Sequence, residues 1–550
     1  MNFSLPRMLV ASLLVSNFAG SAKAVAQEPP YSVEEKSVAQ LQADLHSGRV
    51  TAEDLVRLYL ARIQAIDASG PALRSVIALN PHALDDARRS DAERKAGKVR
   101  GPLHGIPVLI KDNIETDDGT ATTAGSLALA ANVTNRDAPV VHRLKLAGAI
   151  VLGKTNLSEW ANIRSSHSIS GWSAIGGLVK NPYALDRSAC GSSSGTGAAI
   201  AASLAAVGVG TETDGSVVCP SSINGLVGLK PTLGLVSRTH VVPISHSQDT
   251  PGPMGRSVAD VAALLTAMVG SDPADPATKP ADKHKRDYSE ALAGATLRGK
   301  RLGVLRFATG NLPAIDALFD KAVATLKAQG AVIVELEKYK PNPKMGDLEF
   351  AVLMTELKAD LNAYLATTPP SVKTRTLADV IAFNKATPRE LALFDQDLFE
   401  RAQRTKGLTA AAYQKARATS LRMAGAEGID KLMSENQLDA LVAPGDGPAS
   451  RIDVVTGDHI ISGIASLPAV AGYPHLTVPM GYVDGLPIGL NFMGRAWSEG
   501  NLLALGYAYE RATHARHAPT YEPSVETTED ILRSLAPEQH PFVPGRPGRP

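Results

Sequence analysis

The sequence Cys190-Gly-Ser-Ser-Ser-Gly-Thr-Gly197 is followed, a short distance along the chain, by Thr211-Glu-Thr-Asp-Gly-Ser-Val-Val-Cys-Pro220. Glycines let such turns fold back so that several backbone N–H groups converge on one point, and serines there are exposed enough to react. Upstream, the apolar Val108–Ile110 is typical of a buried strand and places Lys111 at its end. A buried lysine can act as a base, because desolvation disfavours its charged form. The pattern therefore predicts serine hydrolase chemistry.

Other interpretations of these residues are weaker. A phosphate-binding loop needs a lysine directly after its glycines, and neither turn has one. His104 is an alternative base, because the members of a Ser–His–Asp triad meet in space rather than by spacing. The 13 histidines of the chain have no companion motif, so we expect His104 to cap a turn. Trp160 and Trp172 could line a substrate groove or belong to the core.

The composition is that of an ordinary globular protein. The chain has 550 residues, of which 44% are hydrophobic, and its formal net charge is +1. This near-neutral charge gives no electrostatic reason to expect a nucleic acid or an anionic membrane as a partner. The two cysteines, Cys190 and Cys219, accompany no zinc-binding motif, so we expect neither a metal nor a cofactor. We expect two small buried side chains, although an exported protein could form a disulfide between them.

The N-terminus has the pattern of a secretory signal peptide over residues 1–26. Arg7 precedes the apolar run Met8–Val15, and small residues follow, with Ala24 and Ala26 as alternative cleavage positions. The apolar run is too short to span a bilayer. We therefore expect an exported protein, periplasmic or secreted, without stable insertion into a membrane.

Strand and helix patterns alternate along the rest of the chain, which indicates an α/β protein with a large, mixed and mostly buried sheet. We expect one domain over 31–525, a helical cap over about 345–435 beside the active site, and a disordered tail over 526–550. Predicted strands are Val108–Ile110, Ala149–Leu152, Arg301–Leu305, Ala331–Leu336, Leu438–Ala443, Leu476–Pro479 and Ile488–Met493. Predicted helices include Ala138–Gly148, Ala198–Ala206, Ile315–Gln329, Ala351–Ala366, Thr387–Arg404, Ala410–Met433 and Asn501–His514.

Taken together, the lysine and the two serine turns resemble the amidase signature family, whose motifs have the forms GGSSGG and DTGGSIR. Ser216 lies 24 positions after Ser192, the offset that the family has between its nucleophile and its bridging serine. This offset selects Ser192 over its two serine neighbours. Lys111 lies in His104-Gly-Ile-Pro-Val-Leu-Ile-Lys-Asp-Asn113, which is similar to the family's lysine motif. The similarity covers nearly all of the chain after the predicted signal peptide.

The chain departs from the family motifs at several positions. Asp214-Gly215 replaces a double glycine, and Val218 replaces the arginine that follows the nucleophile motif. Similar changes occur in one branch of the family, the bacterial peptide amidases, which Glu212–Pro220 and Ile244–Pro253 also resemble.

The resemblance implies an amidase-signature fold, with a large mixed sheet covered by helices on both faces and a helical cap insertion. It also implies a Ser–cis-Ser–Lys triad. Ser216 would be the nucleophile, and Ser192, next to a cis peptide bond, would relay its proton to Lys111. The implied oxyanion hole consists of the backbone N–H groups of Thr213, Asp214, Gly215 and Ser216. Ser193 and Thr211 would either support the triad by hydrogen bonds or stabilise the turns.

The implied reaction is hydrolysis of a carboxamide to a carboxylate and ammonia, with the C-terminal amide of peptides as the favoured substrate. The alternatives are an amidase for aryl or aliphatic acylamides, a glutamyl-tRNA amidotransferase subunit of the A type, and a periplasmic binding protein without catalysis. The predicted signal peptide argues against the amidotransferase, and the presence of all three triad residues argues against a pure binding protein. We expect a small-molecule or peptide amide as substrate and no obligate partner subunit.

Overall fold

The computed structural model describes Met1 and residues 31–459, 461, 463–527 and 529–536. The chain divides into two compact units, Met1–Ser32 and Val33–Pro550, and every helix and strand that is described lies in the second. The predicted signal peptide, 1–26, lies outside the described residues apart from Met1. Within the described ranges, no helix combines the length and the apolar character needed to cross a bilayer.

The described residues contain thirteen strands, of which eleven form one mixed sheet. The strands are β1 Val76–Leu79, β2 Pro107–Lys111, β3 Ile150–Thr155, β4 Trp172–Ser173, β5 Gly177–Leu178, β6 Val207–Glu212, β7 Val227–Lys230, β8 Thr250–Gly255, β9 Arg301–Val304, β10 Val332–Glu335, β11 Ala440–Pro444, β12 His475–Val483 and β13 Leu486–Met493. The order in the sheet is β1-β3-β2-β6-β8-β7-β12-β13-β11-β9-β10, while β4 and β5 pair separately. Strand β2 is parallel to its two neighbours, β3 and β6. Each neighbouring pair in the run β6-β8-β7-β12-β13-β11 is antiparallel.

Sixteen α-helices occur in the described part of the chain. They are α1 Val38–His46, α2 Ala52–Arg62, α3 Ala83–Lys95, α4 Pro139–Leu146, α5 Ser194–Ala201, α6 Val218–Ile223, α7 Val258–Met268, α8 Pro313–Ala328, α9 Met345–Ala366, α10 Leu377–Ala386, α11 Asp397–Gln403, α12 Ala411–Ala424, α13 Asp430–Glu435, α14 Ser466–Ala471, α15 Glu499–Thr513 and α16 Glu529–Leu535. Helices α5 and α6 pack on each other and on the sheet, and α7, α8 and α15 form a second such group. The predicted α/β class, with a large mixed sheet covered by helices, is confirmed.

Most predicted elements are present, and the errors have local causes. The helix predicted over Thr387–Arg404 is wrong in its first half, where residues 387–396 are not helical between α10 and α11. Pro388 disfavours the helical conformation of the residue before it, and Thr387 is extended. The alanine-rich helix begins at Ser194 instead of Ala198, and it ends before Ser203, whose φ is +55°.

Helices α9 to α13 span the segment predicted as a cap. Buried apolar side chains of α9 to α11 form a separate core, whereas those of α12 and α13 join another cluster that includes residues of the sheet. Leu357, Leu361, Val380 and Phe399 are buried in the separate core together with Trp160 from outside the segment. The rings of Trp160 and Phe399 meet edge to face, with centroids 5.7 Å apart. Helix α16 lies in the tail segment that was expected to be disordered, and residues 537–550 are outside the described ranges.

Candidate active site

Strands β2 and β6 bring the first parts of the site to the same edge of the sheet. They are parallel neighbours, so their carboxyl ends meet there. Lys111 is the last residue of β2, and the loop Thr213–Ser216 follows directly after β6. The first serine turn, Gly191–Ser193, precedes helix α5. The Ser193 N–H donates to the Ser216 carbonyl oxygen over 3.2 Å, which holds the two turns together.

A disulfide bond between Cys190 and Cys219 also joins the two turns. The Cα atoms of these residues lie 6.1 Å apart, although 29 positions separate them in the sequence. The expectation of two small unpaired side chains is therefore wrong. The fold brings the residue before the first turn against helix α6, a proximity that the sequence spacing does not encode.

Lys111 is fully buried, and its ammonium group has three polar neighbours. Nζ lies 2.7 Å from Ser192 Oγ, 2.9 Å from Thr211 Oγ1 and 3.2 Å from the Thr211 carbonyl oxygen. Burial lowers the pKa of Lys111 to about 7, against the opposing effect of the Asp249 and Glu212 carboxylates. Near neutral pH a large share of Lys111 is therefore an uncharged amine, which can accept a proton.

Ser192 is held rigidly beside this amine. The peptide bond between Gly191 and Ser192 is cis, as the resemblance implies. A Cβ atom on Gly191 would collide with Ser158 Oγ, so the position has no room for a side chain. The Ser192 carbonyl oxygen accepts a hydrogen bond from the Ser158 N–H over 3.0 Å. The Ser192 hydroxyl is fully buried and lies 2.7 Å from the Lys111 amine.

Thr211 and Ser193 form the supporting layer that the sequence suggested. Thr211 Oγ1 lies next to Lys111 and also accepts a hydrogen bond from Asn113 Nδ2 over 3.0 Å. Ser193 Oγ donates to the Thr211 carbonyl oxygen at 3.1 Å and accepts from the Thr211 N–H at 3.2 Å. Sequence reasoning missed Asn113, although it belongs to the same Lys-Asp-Asn motif as Lys111.

The loop Thr213–Ser216 presents unpaired backbone N–H groups. Gly215 adopts the left-handed conformation, with φ at +80°, in which glycine is favoured. Just beyond the loop, the Glu212 carboxylate accepts hydrogen bonds from the N–H groups of Val217 and Val218, at 2.8 and 3.0 Å. The four N–H groups of Thr213 to Ser216 donate to no residue that the structure describes. They can therefore bind an oxyanion.

A cavity of about 540 Å³ opens over Ser216, which is 7% exposed. The Ser216 hydroxyl has no hydrogen-bond partner among the described residues, and in particular no hydrogen bond to Ser192. Apolar and polar side chains share the walls, among them Ile163, Ser170, Ile244, Leu353, Asp446 and Ser466. The cavity is large enough for a small amide or the end of a peptide.

A protein-family model described as Amidase matches residues 54–503 of this chain. The chain belongs to the amidase family. A probable amidase of Arabidopsis thaliana is 39% identical over 94% of this chain and 97% of its own length. The family and its solved members identify this amidase as an enzyme that hydrolyses amides.

Solved structures extend the comparison. A peptide amidase in complex with the competitive inhibitor chymostatin is 52% identical, with a TM-score of 0.85, over 88% of this chain and 99% of that one. The native peptide amidase from Stenotrophomonas maltophilia is 51% identical, with a TM-score of 0.85, over 90% of this chain and 100% of that one. The amidase thus has the amidase-signature fold that its motifs imply.

The other candidates from the sequence lie elsewhere in the amidase. His104 is fully buried against helix α3, where its Nε2 atom is 3.1 Å from both the hydroxyl and the carbonyl oxygen of Ser90. Trp160 packs on Phe399, and Trp172 packs edge to face on Phe394 with ring centroids 5.2 Å apart. None of these three residues lines the cavity over Ser216, and the two tryptophans belong to the core.

The amidase places several carboxyl groups around the cavity that sequence reasoning did not identify. Burial raises the pKa of Asp446 to about 7, and the charges of Glu212 and Asp214 add to the effect. Asp446 and Asp214 line the cavity, and the Glu349 carboxyl lies next to that of Asp214. For Asp446, the only signal in the sequence is the family-like strand Leu438–Pro444 just before it. No sequence motif marks Glu349.

Two groups of side chains in the described ranges have possible metal ligands within 4.8 Å of one another: His246, Glu356 and Asp360, and His167, Asp395 and Asp397. Protein donors already engage these carboxylates. Glu356 accepts hydrogen bonds from the hydroxyls of Ser245 and Ser247, and Asp397 accepts one from the Ser166 N–H over 2.8 Å. Neither group lines the cavity over Ser216.

Proposed function

We propose that this amidase hydrolyses the C-terminal carboxamide of peptides to a carboxylate and ammonia, with Ser216 as the nucleophile. The proposal rests on the hydrogen bond between Ser192 and the buried Lys111, which lies directly behind the loop that carries Ser216. Similarity to peptide amidases at 52% identity supports the choice of substrate.

In the first half of the reaction, the Ser216 oxygen attacks the carbonyl carbon of the amide. Its proton passes to Ser192, whose own proton moves to the neutral amine of Lys111. The negative charge that develops on the carbonyl oxygen is stabilised by the free N–H groups of the loop Thr213–Ser216. Loss of one such donor typically costs about 10²–10³ in rate.

In the second half, the tetrahedral intermediate collapses and the C–N bond breaks. Lys111 returns its proton through Ser192 to the leaving nitrogen, which departs as ammonia. A water molecule then attacks the acyl-enzyme while the same relay accepts its proton. As the ester bond breaks, Lys111 returns this proton through Ser192 to the Ser216 oxygen, which restores the neutral lysine and the serine hydroxyl. The carboxylic acid is released and loses its proton to solvent to give the carboxylate.

Mass spectrometry of peptide amides incubated with the purified enzyme tests the proposal. The panel includes N-terminally blocked peptide amides, the matching free acids, and aryl and aliphatic acylamides. Conversion of the peptide amide to the acid with release of ammonia is expected. Turnover of acylamides without turnover of peptide amides would contradict the substrate assignment, and no turnover of any amide would contradict the reaction itself.

A pair of serine variants tests the assigned nucleophile. Ser216→Ala is expected to abolish conversion of the peptide amide. Ser170→Ala is the matched control, because Ser170 lines the same cavity but donates its hydroxyl to Asp458 over 2.6 Å and has no link to Lys111. Activity that survives Ser216→Ala would reject the nucleophile.

We further propose that the enzyme is exported after removal of residues 1–26. The disulfide between Cys190 and Cys219 supports this, because disulfides persist in oxidising compartments outside the cytosol. Expression of the full chain in a bacterial host, followed by fractionation and N-terminal sequencing, should find a mature protein that begins after Ala24 or Ala26. Full-length protein confined to the cytoplasm would contradict export.

A further inference from the structure

Glu349, near the start of cap helix α9, faces the loop that carries the nucleophile. Its carboxyl group lies within hydrogen-bonding distance of the Asp214 carboxyl, two residues before Ser216. Glu349 is 5% exposed, and its pair with Asp214 links the cap to the oxyanion loop. The reaction scheme above uses neither carboxyl group.

Gln248 makes a second link between the same two elements. Its Nε2 atom donates to Glu349 Oε1 at 2.8 Å and to the Thr213 carbonyl oxygen at 3.2 Å. On the other side of the loop, Ser466 Oγ donates to Asp214 Oδ2 at 2.5 Å. The loop is thus fixed through its carbonyl oxygen and its Asp214 side chain, both away from the N–H groups that remain free.

Two buried carboxyl groups in contact cannot both ionise at low cost, so the pair holds one proton near neutral pH. Burial raises the pKa of Glu349 to about 9, and the negative charge of Asp214 adds to the effect. Burial also raises the pKa of Asp214, but the hydrogen bonds from Ser466 and Glu349 and the charge of Lys230 oppose it. The proton therefore resides on Glu349, which donates it to the Asp214 carboxylate.

We propose that Glu349 is a positioning residue of the active site: its protonated carboxyl holds Asp214, and through it the loop Thr213–Ser216, in the conformation that directs the free N–H groups at the substrate. The inference rests on the proposed function, in which those N–H groups form the oxyanion hole. Glu349 touches no reacting atom and acts only through the loop.

Loss of the shared proton should therefore lower the rate in alkaline solution. When Glu349 ionises, two carboxylates lie in contact without a proton between them, and their repulsion displaces the loop. The other charged groups that interact with Asp214 are Lys230, Glu212 and Asp446. The rate should then fall as the pH rises past neutrality towards 10, opposite in sign to the rise that deprotonation of Lys111 produces near pH 7.

The test compares pH–rate profiles of the wild type, Glu349→Gln and Glu349→Ala with a peptide amide. The glutamine retains an N–H donor for Asp214 but cannot ionise, so its profile should keep the acid limb and lose the alkaline limb. The alanine removes the donor, so kcat should fall about tenfold or more at neutral pH while KM changes little. Glu356→Gln on the same helix is the matched control, because the Glu356 carboxylate bonds Ser245 and Ser247 instead of the loop, and it should keep both limbs.

A covalent readout separates this inference from the proposed substrate. The rate at which a fluorophosphonate phosphonylates Ser216, with loss of fluoride, should show the same alkaline limb in the wild type and none in Glu349→Gln. Such a result without turnover of peptide amides would contradict the substrate and uphold the role of Glu349. Thermal melts at each pH establish that the variants are folded. If Glu349→Gln does not fold, Asp214→Asn replaces it, because this variant also removes the repulsion between the two carboxylates. An alkaline limb that persists in folded Glu349→Gln, or that in the wild type merely follows unfolding, would overturn the proposal.

Discussion

The edge of the sheet and the helical cap border the same cavity, but the chain builds them in different ways. At the sheet edge, Lys111 ends a fully buried strand, and Ser216 follows a neighbouring strand within four residues. In the cap, Glu349 and Leu353 lie on one long helix, α9, which joins the site only because its segment folds back over it. The first region is encoded in short motifs, whereas the second depends on contacts between distant segments.

This difference suggests that the sheet edge carries out the chemistry and that the cap shapes the cavity. Bond making and proton transfer need groups fixed within a fraction of an ångström, which buried parallel strands and tight turns provide. Shaping of the cavity tolerates more variation, because apolar walls recognise a substrate by its size. Substitutions at the sheet edge should therefore lower kcat, and substitutions of apolar cap side chains that line the cavity should mainly change KM. Glu349 is the exception in the cap, because it acts through the loop Thr213–Ser216.

The largest effect is expected at Ser216. Ser216→Ala removes the nucleophile and should lower kcat/KM for a peptide amide by about 10⁴-fold or more. Steady-state kinetics with the Ser170→Ala control measures this, and the control should stay within about threefold of the wild type. A decrease of similar size in both variants would show that the cavity, not the nucleophile, has been damaged.

Lys111→Met should have the next largest effect. The substitution keeps the length and apolar stem of the side chain but removes the base, so kcat should fall by about 10²–10⁴-fold. Circular dichroism should show an intact fold, because the lysine is buried as a mostly neutral group. If kcat is retained while KM rises, Lys111 serves in binding, and the assignment of catalysis to the sheet edge fails.

Removal of the disulfide should have a moderate effect, and on stability. Its closed loop of about 29 residues corresponds in the chain-entropy model to roughly 3–4 kcal/mol of unfolding free energy. The double variant Cys190→Ser/Cys219→Ser should lose about that amount in urea unfolding at pH 7. An unchanged unfolding midpoint would show that the serine turns are held by their hydrogen bonds alone.

The smallest effect on catalysis is expected at Leu353, an apolar side chain of the cap. Leu353 is 8% exposed and lines both the cavity and the cap core. Leu353→Ala enlarges the cavity, so KM for a peptide amide with a bulky C-terminal residue should change by about three- to tenfold with little change in kcat. A large loss of kcat would remove the distinction between the two regions.

The same contrast explains what could be predicted from the sequence. The family motifs and the offset to Ser216 single out Lys111 and Ser192, and the structure brings these two side chains into hydrogen-bond contact. For Ser193 and Thr211 the sequence left open whether they support the triad or only stabilise the turns. Strand β2, which carries Lys111, was also predicted, since a continuous apolar run marks a buried strand. Strand β6, which carries Thr211, was not predicted, because Gly208 and Gly210 interrupt its apolar run. The resemblance further implied the cis bond before Ser192, which the structure contains.

What could not be predicted depends on distant contacts. No periodicity shows that Cys190 reaches Cys219, and the opposite was expected. The contact of Glu349 with Asp214 spans 135 positions of the sequence, and one buried glutamate in a helix resembles any other. Errors in the cap helices have a local origin instead, as at Thr387, where a helix was predicted to begin although the proline that follows keeps this residue extended.

The pH dependence of kcat/KM for a peptide amide tests most directly whether a neutral lysine drives the reaction. Burial lowers the pKa of Lys111 to about 7, and only its uncharged form can accept the proton that Ser192 relays. Below that pH, kcat/KM should therefore fall about tenfold for each pH unit. Just above neutrality it should reach a plateau, which ends only where Glu349 ionises at higher pH. A profile that keeps rising towards pH 10, as for an ordinary exposed lysine, or one that does not change across neutrality, would contradict the account.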